Sequence, residues 1–86
     1  FGMYGGEEET VTLHFPNKLI GVVMDRFGKD ADIRPDGNEA FFVRAKVAIS
    51  GQFFGWLAGI GKEAKLIKPE GVMEEYKAWL RGILNE

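Results

Sequence analysis

Five residues of this 86-residue chain could together bind an anion or a single nucleic-acid strand. They are His14, Arg34, Phe42, Arg44 and Lys46. Phe42, Arg44 and Lys46 alternate along one segment, so in a β-strand their side chains point to the same side of the sheet. Exposed aromatic rings stack on nucleic-acid bases, and cationic side chains pair with phosphates. The set therefore predicts a binding site for a small ligand or a single strand on an open sheet face.

The alternative interpretation of these five residues is a solvated or interdomain face. The set contains one phenylalanine and no ribonucleoprotein motif, and the chain carries a net charge of −2. This charge gives no general attraction to nucleic acid, so any binding would depend on a local cationic patch.

Metal binding and catalysis are not indicated by the residue types. The chain has one histidine and no cysteine, so it offers neither a histidine cluster for a metal nor a thiol nucleophile. Asp30, Asp32 and Asp36 lack the spacing and the terminal glutamate of an EF-hand loop. We therefore expect no enzymatic activity, no metal and no cofactor. The chain also has no apolar run of about 20 residues, so we expect no membrane span, and the lack of cysteine is typical of a cytoplasmic protein.

The elements that position these residues can be read from the first half of the chain. Thr10–Phe15 alternates between polar and apolar residues, which is typical of a half-buried strand. A helix follows from the cap residue Asn17 to the stop at Gly28, and an Asp36-Gly37-Asn38 turn joins two further strands. The second of these strands, Ala40–Ile49, is the longest and is therefore expected at the centre of the sheet.

The second half predicts a helix, a short strand and a final helix. Ser50 caps an aromatic helix that Gly61 terminates, Ala64–Lys68 forms a strand, and Glu70–Asn85 forms the last helix. The order of elements predicts an α+β fold, namely a ferredoxin-like βαββαβ sandwich with an additional C-terminal helix. Both main helices would cover one face of the sheet and leave the other face open.

The domain organisation follows from the same pattern. Residues 10–86 are expected to form this single domain. Residues 1–9, which end in three consecutive glutamates, are expected to be a flexible linker from a preceding domain.

The aromatic helix combines three large aromatic residues with glycines and carries no charge over residues 52–61. Its predicted core stripe consists of Phe53, Trp56, Leu57 and Ile60. Phe54 is expected near the edge of the core, and the alternative is that these rings form the wall of a ligand pocket. Gly55 and Gly59 share one face and predict a close approach of two backbones.

The last helix carries an apolar stripe that includes Tyr76, Trp79 and Ile83. This stripe is wider than a small two-layer domain needs for its own core. Two interpretations remain open: the stripe packs within the domain, or these three residues form an interface with a second subunit.

Several segments resemble the WCX domain, the C-terminal extension of WYL-domain bacterial transcription regulators of the DeoR-like and YafY-like helix-turn-helix type. The resemblance covers the chain from Thr10 to its end. The segments that carry it are Val11–Phe15, Asp25–Gly28, Val43–Ala48 and Gln52–Leu57, together with Gly61 and Pro69.

The resemblance implies a parent protein with three parts: a winged helix-turn-helix that binds DNA, a central WYL domain that senses a ligand, and this extension. The Trp-Tyr-Leu motif and a DNA-reading helix are absent from this sequence. The implied function is a non-catalytic regulatory and oligomerisation domain that couples ligand sensing to subunit assembly. Its implied partners are a second subunit and the WYL domain of a cytoplasmic regulator, with DNA bound elsewhere in the parent. The alternative is a small-ligand or single-stranded nucleic-acid binding module that uses the open sheet face.

Overall fold

The computed structural model describes residues 7–85 of the chain, so residues 1–6 of the predicted linker lie outside the described residues. The elements follow the predicted order and confirm the α+β class. They are β1 (Glu7–Pro16), α1 (Ile20–Phe27), β2 (Asp32–Asp36), β3 (Ala40–Ile49), α2 (Gly51–Ile60), β4 (Lys65–Lys68) and α3 (Glu70–Leu84).

The four strands form one antiparallel sheet in the order β2-β3-β1-β4, with β1 and β3 at the centre. The β1–β3 ladder runs from Glu7 opposite Ile49 to Pro16 opposite Ala40. β1 therefore begins before the predicted Thr10. The three glutamates are poor strand formers by themselves, but they extend β1 because the long partner strand β3 supplies backbone hydrogen bonds along its whole length.

One face of the sheet, here called the closed face, holds the hydrophobic core. Its strand residues are Val11, Leu13 and Phe15 of β1, Phe41, Val43, Ala45, Val47 and Ile49 of β3, and Leu66 of β4, all of them buried. All three helices contribute to the same buried cluster, through Val23 of α1, Phe53 of α2 and Val72 of α3. The helices therefore lie on the closed face, and the outward residues of the strands form the opposite face, here called the open face.

α2 begins and ends at the predicted residues. The Ser50 hydroxyl accepts a hydrogen bond from the backbone N–H of Phe53 at 3.2 Å, and Gly61 follows the last turn with a φ of +114°. Phe53 and Leu57 are fully buried, whereas Trp56 and Ile60 are only half-buried.

The expectation that Phe54 lies near the edge of the core is wrong, because α3 covers it. Phe54 is fully buried, and its ring centroid lies 5.3 Å from that of Tyr76 and 5.8 Å from that of Trp79. Trp56 instead occupies the rim between α1 and α2, where its ring meets Phe27 edge to face at 5.6 Å.

The expected close crossing of two backbones at Gly55 and Gly59 is also wrong. A Cβ atom at Gly51 would lie 3.6 Å from Nε1 of Trp79, and one at Gly55 would lie 3.9 Å from Cη2 of the same ring. Apart from its chain neighbours and the backbone of α2 itself, no described residue lies within 4 Å of a Cβ position at Gly59. The glycines near the start of α2 thus accommodate an indole ring of α3 rather than a second backbone.

The start of the first helix differs from the prediction as well. Asn17 does not cap α1: its side-chain amide donates to the backbone oxygen of Asn38 at 3.0 Å, and its backbone N–H donates to that of Glu39 at 2.9 Å. A 3-10 turn over Asn17–Leu19 precedes α1. These two bonds tie the end of β1 to the β2–β3 turn and so hold the corner of the open face.

Candidate functional site

The open face holds two neighbouring rows of outward side chains. Each row crosses the sheet and takes one residue from each of the four strands. In the first row, Arg34, Phe42, His14 and Lys65 lie side by side across the sheet. In the second row, the order is Asp32, Arg44, Thr12 and Lys68. Because adjacent strands bring such partners within about 5 Å, the structure collects four of the five predicted residues in these rows, and Lys46 follows opposite Thr10.

The open face is cationic although the chain as a whole is acidic. Its strands carry five lysines and arginines but only three carboxylates on this side. The cations are Arg34, Arg44, Lys46, Lys65 and Lys68, and the carboxylates are Glu8, Asp32 and Asp36. A net positive surface attracts anions locally even where the total charge is negative.

A concavity of about 440 Å³ lies on this face and spans all four strands. It is lined by Thr12, Asp32, Arg34, Phe42, Arg44, Ile67 and Lys68. Two guanidinium groups and one ammonium group thus surround an aromatic ring and an aliphatic side chain. This arrangement can pair with an anion and stack against a planar apolar group at the same time.

The cations of the concavity differ in how far they are already neutralised. Nε of Arg34 lies 3.4 Å from Oδ1 of Asp32, and both side chains are largely exposed. Within residues 7–85, Arg44 and Lys68 have no ion-pair partner. An incoming anion would therefore meet two free cations and would compete with Asp32 for the third.

His14 has a supporting position rather than a place in the concavity. Its Nε2 donates to Oδ2 of Asp36 at 2.8 Å, which links β1 to β2 across β3. Its ring also meets Phe42 edge to face, with the centroids 4.8 Å apart. We infer that His14 holds the ring of Phe42 in place. One of the two imidazole nitrogens is already engaged in the hydrogen bond to Asp36.

Sequence reasoning missed Thr12, Ile67 and Lys68. Strict alternation in β4 would put only Lys65 and Ile67 on the side opposite Leu66, but the register shifts between Thr12 and Leu13 of the partner strand. This irregularity brings both Ile67 and Lys68 to the concavity. The signal that could have been used is the ferredoxin-like topology itself, in which the last strand lies next to the first and its lysines therefore fall beside Thr12 and His14.

The predicted interface residues of α3 separate into two groups. Tyr76 and Trp79 are half-buried against Phe54 of α2, and burial raises the pKa of the Tyr76 hydroxyl above its usual value. Ile83 remains 54% exposed, and Leu84 beside it is 82% exposed. The free apolar surface of α3 is therefore its C-terminal end.

The described residues offer neither a cluster of metal ligands nor a membrane-spanning helix. Within residues 7–85, no group of three or more histidine, aspartate or glutamate side chains could hold a metal ion. In the same part of the chain, every helix is too short or too polar to cross a membrane.

Fold and site together define a small α+β domain with three helices on one face of a four-stranded sheet and a cationic concavity on the other. The family model of the WCX domain matches residues 7–84 of the chain. The chain therefore belongs to the WCX domain family. Neither the curated proteins nor the solved structures gave a significant match.

Proposed function

We propose that this WCX domain is a non-catalytic regulatory and assembly domain of a WYL-type, DNA-binding transcription regulator in the bacterial cytoplasm. Membership of the WCX family supports this role. In such a protein the helix-turn-helix binds DNA and the WYL domain senses a ligand, while this domain contacts the WYL domain and a second subunit. An effector can change the assembly only if it binds one arrangement of the domains more tightly than another.

The same proposal includes the finer fold assignment. From the other edge, the strand order is β4-β1-β3-β2, with a helix between β1 and β2 and a second helix between β3 and β4. This supports a ferredoxin-like sandwich to which α3 is added as a third helix. The extra helix matters for function because it adds an apolar surface that the two-helix layer does not have.

The observation that carries the assembly role is the exposed end of α3. Ile83 and Leu84 lie about one turn beyond Trp79, which packs against the core, yet they remain 54% and 82% exposed. Large apolar side chains that continue a packed stripe into solvent are typical of a surface that contacts another protein. A second copy of this domain is the partner that we propose.

Sedimentation of the chain tests this role. We expect the wild type to form a dimer and Ile83→Asp with Leu84→Asp to sediment as a folded monomer. The matched control is Arg81→Asp, which changes the net charge of the same helix end by the same amount, at an exposed charged residue, and should leave the dimer intact. Trp79→Asp would be a poor test, because Trp79 packs against Phe54 within the chain. A wild type that stays monomeric at millimolar concentration would contradict the proposal.

A second candidate function, the binding of a single nucleic-acid strand or a small anionic ligand, is supported by the concavity of the open face. Phe42 offers a ring for stacking, which contributes about 1 to 3 kcal/mol per base in other proteins. Arg34, Arg44 and Lys68 surround this ring and can pair with phosphate. Electrostatic contact with a single strand is salt-dependent, so its strength should fall as the salt concentration rises.

Fluorescence anisotropy with a labelled ten-residue oligothymidylate tests this second function. We expect saturable binding at low ionic strength that weakens as salt is added. Competition by ATP and by inorganic phosphate separates the two kinds of ligand: competition by ATP alone indicates a nucleotide-sized site, and competition by neither indicates a longer strand. No binding at low salt would exclude the open face as a site for single strands.

A further inference from the structure

A second concavity, of about 430 Å³, lies on the helical side of the molecule between the end of α2, the start of β4 and α3. We call it the lysine groove. It is lined by Ala58, Gly61, Lys62, Ala64, Lys65, Leu66, Met73, Tyr76, Lys77 and Leu80. Except for Lys65, which borders both, these residues lie outside the open face.

The groove exists because small residues stand opposite a broad helix face. Ala58, Gly61 and Ala64 provide little side-chain volume at the end of α2 and in the turn that follows. On the other side, Met73 and Leu80 share one face of α3 with Tyr76 and Lys77 at helical spacing. Met73 is half-buried and packs against the core, so the groove has an apolar wall.

The groove is positively charged at its rim and is lined by no carboxylate. Lys62 and Lys65 have no ion-pair partner within residues 7–85, and Nζ of Lys77 lies 3.8 Å from the nearest carboxylate oxygen of Glu74. Glu63 lies between the two free lysines in sequence, but its carboxylate pairs instead with Lys18 at 3.0 Å. Three lysines therefore line a largely apolar groove that no carboxylate lines.

From this combination we propose that the lysine groove binds a small apolar molecule that carries a carboxylate, such as a medium-chain aliphatic acid. The volume lies in the range of small-molecule sites, which is about 300 to 1,000 Å³. An aliphatic chain would contact Leu66, Met73 and Leu80, and its carboxylate would accept hydrogen bonds from the lysine ammonium groups. Tyr76 lines the same space, and a tyrosine hydroxyl can donate a further bond. This proposal is independent of both functions given above.

Titration of the ¹⁵N-labelled chain with decanoate, below its micelle concentration, tests the proposal by two-dimensional NMR. We expect saturable shifts of the backbone amides that line the groove and, at most, weak shifts on the open face. The matched ligand is 1-decanol, which keeps the chain but lacks the charge and should bind roughly tenfold more weakly or worse. Equal affinity for decanol and decanoate, or no shifts at the groove, would overturn the proposal.

Variants of the rim separate a built site from general charge attraction. Lys62→Gln with Lys77→Gln should weaken decanoate binding roughly tenfold. Arg44→Gln with Lys46→Gln removes the same number of charges from the open face and should leave the affinity unchanged. If both double variants weaken binding equally, the groove has no specific role. Ala58→Leu, which fills the groove without a change in charge, should abolish binding while the spectrum of the rest of the domain is retained.

Discussion

The two faces of the sheet are built from the same strands but differ in what closes them. Along β3, Val43, Ala45 and Val47 point to the closed face and are at most 5% exposed, whereas the residues between them point to the open face. The inward residues meet three helices, and the outward residues meet solvent. One alternating strand therefore supplies both the core and the candidate binding surface, and a change at neighbouring positions should affect different properties.

The aromatic residues show the same division. On the closed face, Phe15, Phe53 and Trp56 form a network of ring contacts with centroids about 6.3 Å apart or less. On the open face, among residues 7–85, Phe42 contacts one other ring, that of His14. The inward rings stabilise the fold, while the outward ring has a face available for a ligand.

The largest expected effect compares two phenylalanines, one on each side of the sheet. Phe53→Ala should lower the free energy of unfolding by about 3 to 5 kcal/mol, because it removes a fully buried ring. Phe42→Ala should cost less than half as much, since its ring is only partly covered. Urea denaturation of both variants measures the difference, and equal losses would contradict the distinction between the two faces.

A smaller loss is expected at the cap that orients α2 on the closed face. Ser50→Ala removes the acceptor for the N–H of Phe53 and should cost about 1 kcal/mol. Ser50→Thr retains a hydroxyl and serves as the control. If thermal melts of both variants match that of the wild type, the cap contributes nothing to the stability of α2.

The glycines of α2 should give opposite results at two positions. Gly59→Ala places a methyl group in open space and should stabilise the domain by about 0.5 to 1 kcal/mol, because alanine favours a helix. Gly61→Ala should destabilise it, since Gly61 has a φ of +114° that side chains rarely adopt. A loss of stability for Gly59→Ala would indicate that a second backbone passes close to Gly59, which would contradict the structure.

The smallest effect on stability is a pH dependence from Tyr76. Burial raises the pKa of its hydroxyl in the folded state, so the unfolded chain loses this proton first as the pH rises. The resulting stabilisation is fully present below the unfolded pKa, near 10, and is lost as the pH rises through the folded pKa. Tyr76→Phe should therefore show a smaller decline in melting temperature between roughly pH 9 and 11 than the wild type.

The fold was largely predictable from the sequence, because alternation and turn residues are local signals. The strand Ala40–Ile49, the turn at Gly37 and the helix that follows Ser50 were all found in this way. The errors concern contacts between distant parts of the chain. Asn17 bonds to the β2–β3 turn instead of capping α1, and Phe54 is buried because α3 folds over it.

The candidate site was predictable to a lesser extent. Alternation placed Arg34, Phe42 and Arg44 on one face, and all three line the concavity. Lys68 enters it through a register shift in β4 that no local pattern reveals. The pairing of His14 with Asp36 could not be predicted either, because it joins two strands that are separated by a third.

The most direct test of the division between the two faces combines a thermal melt with a binding titration on one variant. Arg44→Glu with Lys46→Glu should abolish the binding of oligothymidylate and shift the melting temperature by no more than about 3 °C, because both side chains are exposed. The control is Lys29→Glu with Lys77→Glu, which changes the charge equally away from the open face and should retain most of the binding. Undiminished binding in the first variant, or a melting temperature that falls together with the affinity, would contradict the account.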